Sequence, residues 1–455
     1  MKKRFDFDLI VIGSGDAGGE AALIAAKAGL KVALVEANKW GGSSLNATNV
    51  PFGAAMNTAM TYKHAIDGAR FGISSSALRY NYPTLANWKN VAAKRSGANS
   101  KTNFEEAGIT CIHGIARFLS KEEISVGSET YRAKKFLIAT GASTADTGIK
   151  INEGVNYLLP STALDIPRMP RSIFVVGAGS TGCEMAQYFA ALGSDVIIAD
   201  IAGRLLPREE EEVGQVLDEI FNRDGIKVLT QSRVVALEKD GVETKVVFMR
   251  GGQEKVVKVD AVVLCTGSAP NVDLGLDNTG ISYSKKGIKV DETMVTNIKS
   301  IYAAGDVTGG DSSMEKAVFD ARVAAAHIIG RSKAIRNDVG MIRVTNTYPE
   351  IAQVGVSEDD CIRRDRKIKK IVMPLAASQK AIVSDYYDGI VKLIFSKSGV
   401  LIGGTVMSPD ASIVAQELAY AVRYEMTAEE IAAVPHVMSS WGELIRSAAE
   451  RIQNA

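Results

Sequence analysis

Twice in this chain of 455 residues, a β-branched strand enters a Gly-x-Gly-x-x-Gly turn, followed by a helix and a second strand that ends in an acid. The first copy reads Asp8-Leu9-Ile10-Val11-Ile12, Gly13-Ser14-Gly15-Asp16-Ala17-Gly18, a helix over 20–28, then Lys31-Val32-Ala33-Leu34-Val35-Glu36. The second reads Ser172-Ile173-Phe174-Val175-Val176, Gly177-Ala178-Gly179-Ser180-Thr181-Gly182, a helix over 183–192, then Asp195-Val196-Ile197-Ile198-Ala199-Asp200. In each, the first glycine permits a tight turn. The second lets backbone approach a pyrophosphate, and the third lets helix pack on strand. The helix N-terminus offers free N–H groups and a positive dipole end to phosphate. Glu36 can accept hydrogen bonds from ribose hydroxyls. Asp200 favours NAD over NADP, because a carboxylate suits a free 2′-hydroxyl and repels a 2′-phosphate. Arg204, four residues on, leaves NADP open. Two intact units predict two nucleotides held face to face, as hydride transfer between a nicotinamide and a flavin requires.

The rest of the chain fits around these units. Residues 52–106 read as helices, 109–118 and 124–131 as short strands, and Lys135 to Ala139 as a strand entering the turn Ala139-Thr140-Gly141. A proline-bearing linker, 142–171, leads to the second unit. Strands recur at 226–229, 233–238, 244–249 and 256–259, and Ala261 to Gly267 echoes the earlier turn. Asp306 closes a strand ahead of a helix near Met314, where its carboxylate can bind a polyol hydroxyl or cap the helix. From Val339 onward, alternating short strands and three helices read as a separate α+β domain.

Composition excludes some roles. With 53 basic and 52 acidic residues there is no electrostatic footprint for nucleic acid or an anionic membrane. No apolar run reaches the ~18 residues that span a bilayer. Met1-Lys2-Lys3-Arg4 begins like a signal peptide, but Asp6 and Asp8 fall where its apolar segment should start. A cytoplasmic protein is expected. Cys111, Cys183, Cys265 and Cys361 show no metal or redox spacing and read as small buried residues, so no metal site is expected. The basic run Arg363 to Lys370 reads as a solvated loop and strand edge before a docking patch.

Together these motifs resemble the pyridine nucleotide–disulfide oxidoreductase family, across essentially the whole chain. The resemblance implies an α/β fold of two Rossmann-like dinucleotide-binding domains and a C-terminal α+β dimerisation domain. It places an FAD-binding domain at 1–148 and 271–338, an NAD(P)-binding domain at 149–270 and the dimerisation domain at 339–455. It assigns FAD to Gly13, Gly15, Gly18, Glu36, Gly42, Ser43, the turn Ala139-Thr140-Gly141 and Asp306, which would bind the ribityl chain. It assigns the nicotinamide nucleotide, NAD(H) before NADP(H), to Gly177, Gly179, Gly182 and Asp200, with Gly267 in the echoed turn. Tyr348 to Gly355 looks like the opening of the dimerisation domain, implying a homodimer whose C-terminal domains complete each other's sites.

The reacting residues depart from the family. Its redox helix reads Gly-Gly-Thr-Cys-Leu-Asn-x-Gly-Cys-x-Pro-Ser-Lys. Here, in 41–53, the cysteine positions hold Ser44 and Asn49, and the lysine is Gly53. A hydroxyl and an amide form no disulfide and no thiolate. Glu184, which matches that lysine's partner, must find another partner or titrate abnormally. In the C-terminal His-x-His-Pro-Thr-x-x-Glu motif the catalytic histidine falls on Met438, while His436 and Glu443 keep their places. His436 reads either as a structural histidine or as a displaced base. The candidate catalytic set is Ser44, Asn49, Glu184, His436 and Glu443.

Three functions remain. The first is an NAD(P)H oxidoreductase whose flavin passes electrons directly to a small-molecule acceptor such as a quinone, dye, oxygen or second nicotinamide. The second is a non-catalytic flavin- and nucleotide-binding sensor. The third is thiol chemistry relocated to Cys183 or Cys265.

Overall fold

The apolar run Phe7–Ile12 pairs in parallel with Val32–Glu36 on one side and Glu129–Ile138 on the other. Its alternate residues are buried on both faces. Leu9 and Val11 face one core and Ile10 and Ile12 another, which is why the sequence shows an unbroken apolar run in place of alternation. This strand lies in the interior of its sheet in a computed structural model that describes residues 4–73, 78–96, 100–331 and 334–453. Met1 to Lys3, the start of the signal-like segment, and the last two residues lie outside the described residues, as do parts of the helical stretch 52–106.

The chain divides into two units. One comprises Met1–Ala55, Pro83–Asp146 and Gly267–Asn337. Its seven-stranded sheet runs Thr110–His113, Val32–Glu36, Phe7–Ile12, Glu129–Ile138, Glu123–Val126, Ala116–Ser120, with Ile301–Ala303 joined in parallel to Glu129–Ile138. Helices Asp16–Lys27 and Met314–Ile328 pack over one face through Ala21, Ala22, Ala25, Ala321, Ala324 and Ala325. These small residues let the two helices lie close together. Behind Ile301–Ala303, Lys316 Nζ donates to Asp320 Oδ2 at 2.8 Å, Thr308 Oγ1 at 3.0 Å and Gly305 O at 3.2 Å. That buried ammonium fixes the turn bearing Asp306 against its helix.

The other unit comprises Met56–Tyr82, Thr147–Thr266 and Asp338–Ala455. Among its described residues are three sheets. A parallel sheet runs Lys227–Leu229, Asp195–Ala199, Ser172–Val176, Ala261–Leu264. A second sheet runs Gln253–Val259, Glu243–Arg250, Ser232–Asp240, Lys150–Ile151. A five-stranded antiparallel sheet runs Ile342–Thr345, Glu350–Gly355, Leu401–Ser408, Ile390–Ser396, Ile368–Pro374. Helices Ala411–Arg423 and Glu443–Gln453 cover it through Ala415, Leu418, Leu444, Ile445 and Ala448.

Both fingerprint helices begin earlier than their apolar pattern suggests, at Asp16 and Ser180. Their first turns are made of phosphate-turn residues, which carry no apolar periodicity. The stretch 41–51 is not one helix. A short helix, Gly42–Asn46, ends at Ala47, and a second, Asn49–Asp67, begins two residues later. Pro51 sits in the first turn of the second helix, where the missing N–H costs nothing. Among the described residues no helix is long and apolar enough to cross a membrane.

Lys392, on Ile390–Ser396 and 1% exposed, donates to Glu210 at 2.8 Å, Glu212 at 2.8 Å and Glu358 at 2.7 Å. Burial alone would lower its pKa, but these hydrogen bonds outweigh it and hold the ammonium charged. Removing one member of a buried ion cluster leaves uncompensated charge, at a cost of about 3–5 kcal/mol. Lys392→Met is therefore expected to lower unfolding free energy by that amount in urea titration. A loss under about 1 kcal/mol would show that solvent already screens the three carboxylates.

Candidate functional site

The first glycine turn is held by contacts that only glycine allows. Gly13 has φ of +101°, and a Cβ there would lie 2.3 Å from Ala139 O. A Cβ on Gly18 would lie 1.8 Å from Gly13 O, and one on Gly42 2.5 Å from Gly15 Cα. Gly42 thus brings the 41–46 segment directly against the phosphate turn. Glu36 closes the turn from the other side. Its Oε2 accepts from Ser14 N at 2.9 Å and Ser14 Oγ at 2.6 Å, and its Oε1 from Asn38 N at 2.8 Å. Ser14 Oγ in turn accepts from Gly41 N at 3.0 Å. The turn at 139–141 is pinned by Asn271, which donates to Thr140 O at 2.9 Å and accepts from Thr140 Oγ1 on its own carbonyl at 2.8 Å. Gly267 O accepts from Ala145 N at 3.1 Å, and both residues lie in this unit, whereas Ala261 to Thr266 of the echoed turn belong to the other.

The second turn repeats the first. A Cβ on Gly177 would lie 2.5 Å from Cys265 O, and one on Gly182 1.8 Å from Gly177 O. Asp200 Oδ2 accepts from Ala178 N at 2.6 Å, and Oδ1 from Ala202 N at 2.7 Å. Gly179 has open space on its Cβ side, and Gly15 meets only Gly42 Cα at 3.8 Å. The middle glycine of each turn is therefore not required by internal packing, which suits a position kept clear for a ligand. Neither helix N-cap, Gly15 or Gly179, carries a side-chain hydrogen bond. The residues present fit a dinucleotide in each turn.

Asp306 is not the cap of the helix that follows it. Ser313 has that role, accepting from Lys316 N at 3.1 Å. The Asp306 carboxyl is pushed above the usual carboxylate range by burial, against the pull of Lys316 and a hydrogen bond from Ser312. Asp16 was missed by sequence reasoning, although it is the only charged residue within Gly13 to Gly18. Its carboxyl is also raised, first by burial and then by Asp306 and Glu315, while a hydrogen bond from Ser44 opposes the shift.

Ser44 and Asn49 do converge, on a residue absent from any local motif. Met314 Sδ accepts from Asn49 Nδ2 at 3.2 Å, and Ser44 Oγ, whose single hydrogen also serves Asp16, lies 3.6 Å from it. A thioether from 265 residues away thus bridges the two positions. Asn46 Nδ2 reinforces the short helix by donating to Gly42 O at 2.8 Å and Trp40 O at 2.9 Å. Gly53 has open space where a side chain would project.

Glu184 has a new partner and an abnormal titration. Its Oε1 accepts from Asn346 N at 2.6 Å and Asn346 Nδ2 at 3.2 Å. Burial outweighs these bonds and raises the carboxyl to about 7. Glu443 is fully engaged, accepting from Gln379 N at 2.7 Å and Ser439 N at 2.9 Å. His436 Nδ1 lies 2.8 Å from Val434 O, and Nε2 contacts Glu417. Both ring nitrogens are thus committed within this chain, which fits the structural reading of His436. Met438 is exposed.

Burial raises all four thiols, Cys111, Cys183, Cys265 and Cys361, above the ordinary cysteine range. None has the lowered pKa of a reactive cysteine. The one carboxylate group among the described residues with metal-holding spacing, Glu210, Glu212 and Glu358, already surrounds Lys392.

Comparison with known proteins agrees with this geometry. Residues 7–327 match the pyridine nucleotide-disulphide oxidoreductase family, and 341–449 match that family's dimerisation domain. The chain belongs to this family of FAD-dependent pyridine nucleotide oxidoreductases, and its dimerisation domain fits a homodimer. It is 31% identical over 451 residues to a dihydrolipoyl dehydrogenase of Staphylococcus aureus, covering 98% of this chain and 96% of that one. It is 31% identical over 431 residues to a mercuric reductase of Staphylococcus aureus, covering 94% and 79%. Among solved structures, LpdA of Mycobacterium tuberculosis superposes with a TM-score of 0.88 at 27% identity, covering 98% and 99%. The HOCl-induced flavoprotein disulfide reductase RclA of Escherichia coli shares the fold, with a TM-score of 0.86 at 22% identity over 97% and 99% of the two chains.

The Glu184 carboxyl gives a pH signature. Its folded pKa of about 7 lies above the ordinary 4.5, so the native state holds this proton more tightly than the unfolded chain does. The resulting stability is complete below pH 4.5 and is lost as pH rises through 7. Relative to Glu184→Gln, the protein should lose on the order of 3 kcal/mol across that window. Urea unfolding at a series of pH values measures this, and parallel profiles for the two proteins would contradict it.

Proposed function

We propose that this protein is an FAD-dependent NAD(P)H oxidoreductase that delivers electrons directly to a small-molecule acceptor, without a redox disulfide. The observation that carries this reading is the Ser44–Met314–Asn49 contact. The two positions where the family has cysteines hold a hydroxyl and an amide, and both are turned toward a thioether that cannot cycle as a disulfide.

Bound FAD would supply the ability to accept a hydride and to release electrons singly or in pairs. Gly13, Gly15, Gly18, Gly42 and Ser43 would cradle its pyrophosphate, with Glu36, Asp306 and the 139–141 turn on its sugar and ribityl hydroxyls. Gly177, Gly179 and Gly182 would hold the nicotinamide nucleotide. These roles go with a domain division at 1–148 with 271–338, 149–270 and 339–455.

NADH is the preferred donor in this reading. Asp200 presents a carboxylate beside the second turn. Arg204, the residue that could welcome a 2′-phosphate, is occupied by Asp359 at 3.1 Å, Glu209 O at 3.0 Å and Pro207 O at 3.3 Å. Glu184 can hold or release a proton near neutral pH. Reduction of an acceptor such as a quinone consumes protons, and a carboxyl poised near the working pH suits that task. Glu443 and His436 are tied up internally, so a proton donor at Met438 has no substitute there.

Anaerobic addition of NADH should bleach the flavin, and a quinone or dye should restore it over many turnovers. Iodoacetamide treatment should leave the rate unchanged, since each described thiol is held protonated. A flavin that neither NADH nor NADPH reduces would overturn the proposal and favour a non-catalytic nucleotide-binding role.

A further inference from the structure

The second glycine turn leads into a surface cavity that a distant helix helps to line. Asp200 accepts from Ala202 N at 2.7 Å. Ala202 and Gly203 then line a cavity of about 500 Å³ together with Arg204, Pro207, Glu211 and Asp359. The loop carrying Arg204 is stitched back to the turn, because Leu206 N donates to Ala178 O at 2.8 Å. The cavity thus opens where the proposed function puts the adenosine ribose of the nicotinamide nucleotide.

Arg204 is the one cation in that lining, against the two acids Glu211 and Asp359. Its Nη2 donates to Asp359 Oδ2 at 3.1 Å, Glu209 O at 3.0 Å and Pro207 O at 3.3 Å. Its Nε is buried and, among the described residues, donates to nothing. A guanidinium presents five N–H groups in a planar fork that matches phosphate. Arg204 therefore keeps a donor in hand while its charge is cancelled. Asp359 reaches it from 155 residues away, on the helix Glu358–Arg363. That helix is tied to the same loop, since Glu358 N donates to Glu210 Oε1 at 3.0 Å and Glu358 shares Lys392 with Glu210 and Glu212. These contacts fix the place from which Asp359 meets Arg204.

We propose that Asp359 is a specificity-determining residue, which holds Arg204 away from a nucleotide 2′-phosphate and so makes the chain select NAD(H) over NADP(H). This rests on the nucleotide assignment of the proposed function. A phosphate monoester carries about −1.5 to −2 charge at neutral pH, and the lining is already net negative. To reach Arg204 it must displace the Asp359 carboxylate, which is then left unpaired against a like charge, and that juxtaposition disfavours binding. A free 2′-hydroxyl needs no such displacement. Asp200 does not carry the discrimination alone, since its two oxygens already accept from Ala178 N and Ala202 N. The Arg204–Asp359 pair is partly solvated, with side chains 31% and 53% exposed, and pairs of that kind add little to stability. Removing it changes what the cavity accepts and spares the fold.

The FAD-loaded, full-length protein would be titrated with NAD+ and with NADP+ by calorimetry, without turnover. The natural protein is expected to prefer NAD+. Asp359→Ala should tighten NADP+ binding by at least about tenfold, the scale of one charge-assisted hydrogen bond, and leave NAD+ affinity within about twofold. Asp359→Asn, which keeps an acceptor for Arg204 and loses the charge, should fall between the two. Adding Arg204→Leu to Asp359→Ala should abolish the gain. An unchanged preference in Asp359→Ala, or a gain that survives Arg204→Leu, would overturn the proposal and leave the oxidoreductase reading standing. A natural protein that already prefers NADP+ would overturn it as well. Binding of neither nucleotide to the natural protein would overturn the nucleotide assignment itself, and this inference with it.

Discussion

A carboxylate at the end of a strand, bonded to the backbone of the glycine turn beside it, organises both nucleotide turns. Glu36 does this through Ser14 N and Asn38 N, and Asp200 through Ala178 N and Ala202 N. In each case the carboxylate takes the amide after the first glycine and the amide two residues beyond itself. Charge-assisted bonds of this kind are stronger than neutral ones. They hold two strand ends and a turn in register while the middle glycine stays clear. The family's binding function depends on this geometry, and the chain forms it twice, with closely matching approaches between glycines and carbonyls.

The altered residues are not simply deletions. Where a family partner is missing, the structure supplies another. Glu184, whose family lysine falls on Gly53, turns to Asn346, while Glu443 is held by Gln379 and Ser439 and His436 by Glu417. Buried carboxylates left unpartnered are costly, so loss of the thiol machinery without these substitutions would have weakened the fold.

The segment from Gly41 to Pro51 shows how closely binding and chemistry are coupled. Gly42 approaches Gly15 so closely that a Cβ on Gly42 would lie 2.5 Å from Gly15 Cα, which packs the Ser44 helix directly on the glycine turn. The break at Ala47 then lets Ser44 and Asn49 face the same sulfur from two different helices. A single continuous helix would set the two side chains, five residues apart, well away from a common face.

Strand patterns, glycine spacing and terminal acids were legible in the sequence because they arise from contacts within about 30 residues, where spacing dictates geometry. The family and the fold came from them, as did the absence of sulfur at Ser44 and Asn49. The boundaries of the fingerprint helices were less legible, since their first turns are built from residues with no apolar period. Asp16 lay hidden inside a motif read for its glycines. Met314, Asn346 and Glu417 could not be anticipated, because each meets its partner only when distant segments or separate elements pack together. The sequence by itself determined which turns carry the dinucleotide fingerprint and which family side chains are replaced at Ser44, Asn49, Gly53 and Met438. Only the tertiary structure decided what took their place, because long-range packing, which leaves no periodic trace in the chain, sets the partner of each buried polar group.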